Sequence, residues 1–159
     1  AMTAFTTTKP VSLNAESRTL DREVDLPPHG DTIHFGAHGD VAEHYKMTPK
    51  EPLPSTIDYL VASVAGCLIG TFAGSLMRAR IPVSPATLTG TVAGDVASDD
   101  DNVLRVRRIT VEYTLELDEE HRAGAEEVHG VHAGRCPNAR SVGAAIEIVT
   151  NLRIVAPGA

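Results

Sequence analysis

The chain has 159 residues, of which 42% are hydrophobic and 22% charged, and a net charge of −7. That is one domain's length with enough apolar residues for a core, and its acidic balance argues against nucleic acid or an anionic membrane as a main partner. Two cysteines with no Cys-x-x-Cys exclude a disulfide scaffold, a zinc ribbon and a thioredoxin-type motif.

The opening AMTAFTTTKP has no basic region followed by an apolar stretch, so no secretory signal is read there and a cytoplasmic location is expected. SRTLDREVDL (17–26) alternates loosely and is a candidate strand. PPHG is a turn, DTIHFGAHGD (31–40) a short strand broken by glycines, and HYKMTPKEPLP (44–54) a proline-punctuated loop. N-terminal strands are therefore expected within about 11–45. His29, His34, His38 and His44 crowd this segment together with Asp31 and Asp40, but their spacing fits no standard zinc pattern, and no metal site is expected.

A central helix is expected over about 55–80. Ser55 is a candidate N-cap with Asp58 three residues later, and Ile57, Leu60, Val61, Val64, Leu68, Phe72 and Met77 recur at helical intervals. Gly66, Gly70 and Gly74 weaken a helix interior, so close packing against another element is expected there. A strand pair follows over about 86–117, with the acidic run DDDN as its hairpin tip and a slip near Arg107-Arg108 that reads as a bulge. Asp118 is placed as the cap of a second helix, about 119–134. On it His129 and His132 share a face, read as solvated or partly buried. A terminal strand is expected over about 144–155. The order of elements is α+β.

Cys67 alone, inside an apolar helix, is compatible with an inert core thiol. Cys136 lies in RCPNARS, between Arg135 and Arg140, where nearby guanidinium favours a thiolate. Inert core thiols, a metal pair and a redox pair all remain open on the residues alone.

The two stretches together carry more. PSTIDYLVASVAGCLIGTFAG followed much later by AGRCPNARSVGAAIEI resembles the OsmC/Ohr family, the osmotically inducible and organic hydroperoxide resistance proteins, from about residue 54 to the end. The resemblance implies a single domain of OsmC-like fold, with antiparallel sheets wrapped around a long central helix, as an intertwined homodimer. It implies a thiol peroxidase that reduces organic hydroperoxides, with Cys67 peroxidatic, Cys136 resolving, no cofactor, and a dithiol or dihydrolipoyl-type reductant. The family pairs a glutamate of the central helix with an arginine. Here Asp58 stands at the glutamate position, and His34 in His34-Phe35-Gly36, Arg18 and Arg22 are candidates for the cation. The alternative is an OsmC-like binding or regulatory protein without efficient turnover.

Overall fold

The computed structural model describes residues 4–14, 21–28 and 30–158. The chain divides into two units, residues 1–59 and 60–159, with the division inside the long helix.

In the first unit, β1 (Val11–Leu13), β2 (Arg22–Val24) and β3 (Ile33–Phe35) form an antiparallel sheet in the order β1-β2-β3. The expected 31–40 strand stops at Phe35. Gly39 takes a left-handed φ of +48° and opens a short helix, α1 (Gly39–His44), within the segment where the sequence predicted strands. The Gly36 amide donates to the Pro54 carbonyl at 3.0 Å, which brings the end of β3 against the approach to the next helix. A Cβ on Gly36 would stand 2.8 Å from Leu53 Cβ, so only glycine fits this close approach. Phe35 meets Tyr59 edge to face at 4.7 Å between centroids.

α2 (Thr56–Arg78) opens with the expected cap. The Ser55 hydroxyl and amide both donate to Asp58 Oδ2 at 2.6 Å, and the Asp58 amide donates back to Ser55 Oγ at 3.2 Å. By length and composition alone α2 could cross a membrane. In the second unit, however, its stripe of Val64, Leu68, Phe72 and Leu76 is buried as core.

That unit's sheet has the order β4-β5-β6, from β4 (Leu88–Ser98), β5 (Leu104–Glu116) and β6 (Glu147–Val155). β4 and β5 are antiparallel, and their register slips between Asp95 and Val96 so that Arg107 is the extra residue, the bulge read from the sequence. The slip returns Val106, Ile109, Val111, Tyr113 and Leu115 to one buried row. β5 and β6 are parallel, so this sheet is mixed and not antiparallel throughout as the resemblance implied. The cause is the long helical crossover between them, which returns the chain to the same end of the sheet. It contains a 3-10 turn (Glu119–His121), α3 (Arg122–His132), a second turn (Ala133–Arg135) and α4 (Pro137–Val142). Asp118 precedes the first turn but makes no side-chain capping bond.

β4 admits α2 closely at its glycines. A Cβ on Gly94 would stand 2.6 Å from Val61 Cγ2. Gly66, Gly70 and Gly74 behave otherwise: nothing described lies within 4 Å of a Cβ built there, so the close packing expected of them is not made among the described residues.

The core also contains what the sequence placed on a solvated or partly buried face. His132 is wholly buried, and its ring and that of His129 pack with Phe72 and Tyr113. Burial holds both imidazoles below the ordinary histidine value of 6.5, and in His129 the neighbouring His132 adds to the effect. With the folded-state values depressed, the unfolded chain binds more protons below that pH, so stability falls as pH drops through it. Thermal melts should give a lower Tm at about pH 5.5 than at about pH 7.5; a Tm that does not move between them would contradict the buried placement.

Candidate active site

Cys67 lies three residues after Val64 and beside Leu68, on the flank of the buried α2 stripe, and is half-buried. Cys136 is wholly buried and sits at the N-cap of α4. The proline after it disfavours a helical backbone at residue 136, which is extended at φ −80° and ψ 120°. Pro137 itself suits the first helical position, where no amide hydrogen is needed. The Cys136 sulfur accepts from the Ala139 amide at 3.5 Å, and the Asn138 side-chain amide donates to the Ser63 carbonyl at 3.0 Å, one turn before Cys67 on α2.

These contacts leave the Cys136 thiol donating to the Cys67 sulfur at 3.0 Å, with both cysteines free. The two residues, 69 apart in sequence, are thus brought into direct contact. Burial pushes the Cys136 thiol up, the contact with Cys67 pushes the same way, and the Ala139 and Asn138 amides oppose them. The thiolate expected at Cys136 from its flanking arginines is not favoured: Arg135 and Arg140 are exposed, and burial prevails.

The other candidate residues belong to the first unit. Asp58 Oδ2 receives His38 Nε2 at 2.8 Å in addition to the two Ser55 bonds. Burial works to raise the Asp58 carboxyl, but the Ser55 and His38 bonds outweigh it and hold the group below its usual value. The imidazole that meets Asp58 is therefore His38 and not His34. His34 lies across from Glu23 in the β2–β3 register, exposed, with 3.5 Å between Nδ1 and the Glu23 carboxylate. Arg22 is half-buried on β2 opposite Phe35. Arg18 and His29 lie outside the described residues. Among the described residues no group of three or more His, Cys, Asp or Glu side chains could hold a metal ion.

His38 was not singled out for this role in the sequence because four histidines share its segment. The distinguishing signal was its place just before Gly39, where the chain turns. α4 was missed because six residues hold too little periodicity to detect.

The family model described as OsmC-like protein matches residues 49–151. No curated protein matches the chain. Among solved structures it is similar to an OsmC-like protein from Mycoplasma pneumoniae, with a TM-score of 0.69 and 14% identity over 96% of this chain and 99% of that one. It is similar to the organic hydroperoxide resistance protein OhrB of Bacillus subtilis, with a TM-score of 0.64 and 14% identity over 92% and 98%. It is also similar to an organic hydroperoxide resistance protein OsmC from Legionella pneumophila, with a TM-score of 0.68 and 8% identity over 94% and 98%.

A disulfide needs the two sulfurs about 1 Å closer than their present 3.0 Å contact. Diamide treatment of the reduced protein should lower its intact mass by about two units and protect both thiols from alkylation without linking chains. Two thiols that still alkylate fully would mean that the contact cannot close.

Proposed function

The chain belongs to the OsmC-like protein family, and on that premise we propose that it is a thiol-dependent peroxidase that reduces organic hydroperoxides to alcohols. The observation that supports this reading is the 3.0 Å approach of Cys136 to Cys67. The Cys67 thiolate attacks the terminal peroxide oxygen, the O–O bond breaks, and the alkoxide takes a proton and leaves as the alcohol. Cys67 is left as a sulfenic acid. Cys136 then attacks that sulfur, water departs and a disulfide forms before over-oxidation can occur. A dithiol, of the dihydrolipoyl type or a small molecule, returns both cysteines to thiols.

Cys67 is the peroxidatic residue in this scheme because it is the more accessible, and Cys136 resolves from its buried cap position. An alkyl peroxide rather than hydrogen peroxide is proposed as the substrate on the likeness to organic hydroperoxide resistance proteins. Asp58 and His38 are proposed as this chain's counterpart of the family's glutamate–arginine pair, in place of His34. The second reading, a binding or regulatory protein with little turnover, draws on the upward push on the Cys136 thiol, which slows resolution.

We propose a homodimer as the working unit. Gly66, Gly70 and Gly74 recur every four residues on one face of α2 with open space over them, which is room for a second copy's backbone to approach closely.

Reduced protein with a dithiol should consume cumene hydroperoxide. Cys67→Ser should abolish consumption, and Cys136→Ser should allow a single round followed by sulfinic acid at Cys67, read by mass. Equal residual activity in the two variants would remove the assigned roles. His38→Ala should lower kcat/KM by about tenfold or more and His34→Ala by much less; the reverse order would return the cation to His34. Gly70→Leu should shift the sedimenting species from dimer towards monomer, and an unshifted dimer would place the contact on another face.

A further inference from the structure

α4 carries one cysteine at its cap, and its second residue reaches across to the helix that carries the other. Asn138 is half-buried, and its Nδ2 lies 3.0 Å from the Ser63 carbonyl oxygen of α2, 75 residues away in sequence. A carbonyl only accepts, so the side-chain amide presents its nitrogen and the bond has one direction. Within an α-helix the carbonyl of residue 63 is also the acceptor for the backbone amide of residue 67. A carbonyl oxygen has two lone pairs, so this one serves the Cys67 amide and Asn138 together. The Ser63 hydroxyl takes no part, since it donates to the Leu60 carbonyl at 3.0 Å.

The result is a short closed circuit. It runs from the Cys67 amide to the Ser63 oxygen, through the Asn138 side chain and back along Pro137 to Cys136, and it closes at the 3.0 Å sulfur contact. Among the described residues these two are the hydrogen bonds that join α4 and its cap to α2. The others stay within α4 and its cap: the Ser141 hydroxyl donates to the Pro137 carbonyl at 2.8 Å, and the Ala139 amide to the Cys136 sulfur at 3.5 Å. Without the Asn138 bond, packing and the reacting sulfurs alone would hold α4 to α2.

A single hydrogen bond near the surface contributes little to global stability. Closure between two thiols depends instead on how much of the time they are aligned, and there a small restraint has leverage. Neither partner in this bond titrates near neutrality or is oxidised with the sulfurs. The same donor and acceptor are therefore present in the dithiol, the sulfenic acid and the disulfide.

We propose that Asn138 is a positioning residue for disulfide closure. By anchoring α4 to the carbonyl that serves Cys67, it sets the rate at which the Cys136 sulfur reaches the Cys67 sulfur. It thereby sets how much Cys67 sulfenic acid is trapped before a second peroxide oxidises it further. The trapping rests on the peroxidase reading above; the closure does not. In the trapping step the Cys136 sulfur forms the S–S bond, the Cys67 S–O bond breaks, and the departing hydroxide leaves as water with the Cys136 proton. Asn138 exchanges neither proton nor electron.

Closure can be timed without peroxide. 5,5′-Dithiobis(2-nitrobenzoate) exchanges first with the half-buried Cys67, giving a mixed disulfide and one aromatic thiolate, and Cys136 then displaces the second thiolate. Asn138→Leu keeps the shape of the side chain and removes the donor. Its first release should match the parent's, and its second should be slower by about fivefold or more. The factor should be the same at every pH between about 6 and 9, because lost alignment leaves the titration of the Cys136 thiol unmoved. Ser141→Ala, which alters α4 but not its tie to α2, should keep the parent's second release. With cumene hydroperoxide and no reductant, Asn138→Leu should leave more sulfinic acid at Cys67 than the parent, read by intact mass. A second release at the parent's rate in Asn138→Leu, an equal slowing in Ser141→Ala, a slowing that vanishes at high pH, or fewer than two releases from the parent would each overturn the proposal. So would equal sulfinic acid in the variant and in a parent that consumes peroxide. A parent that releases both thiolates but consumes no hydroperoxide would remove the peroxidase reading and leave the role of Asn138 in closure standing.

Discussion

Cys136 is held from three directions: the proline that follows it, the Ala139 amide on its sulfur, and the tie from Asn138 to the Ser63 carbonyl. The 3.0 Å approach to Cys67 follows from these together. Each is local and inexpensive to encode, yet they fix a contact between residues 69 apart in sequence. A disulfide partner must arrive within a narrow window of distance and direction, and a capping residue at the start of a tied-down helix meets that need better than one on a free loop.

The same contact depends on the crossover that leads to it. β5 and β6 run parallel, so the chain between them must traverse the sheet's length, and it does so as α3 and α4. α3 carries His129 and His132 across the buried row of β5, where Tyr113 meets them, and ends just before Cys136. The route that closes the sheet is therefore also the route that delivers the second thiol.

The large regular elements were legible in the sequence because their periods are long. The α2 stripe repeats over many turns, and the alternation of β5 survives its bulge at Arg107 once the slip is counted. Cys67, Cys136 and Asp58 were singled out through the family's motifs, and of these the structure brings the two sulfurs into contact. What was not legible was set by single backbone events. Which histidine reaches Asp58 depends on the left-handed turn at Gly39 and on the Gly36–Pro54 bond, and neither leaves a periodic trace. The burial of His132 had a signal that was easy to undervalue: Ala125, Val128, His129 and His132 recur at helical spacing, so the polar residues lie on the helix's inward stripe. The expectation at Cys136 failed because sequence neighbours are not spatial ones. Arg135 and Arg140 point their exposure to solvent while the sulfur between them is interior.

The two cysteines are unequally exposed. Cys136 is closed off and Cys67 is not. If the proposed chemistry holds, an incoming oxidant and an incoming reductant meet the same residue at different times. Under the proposed chemistry this makes the cycle ping-pong, and an excess of either substrate obstructs the half-reaction of the other. Under that chemistry electrons would enter where they leave, and two dissimilar molecules would share one doorway.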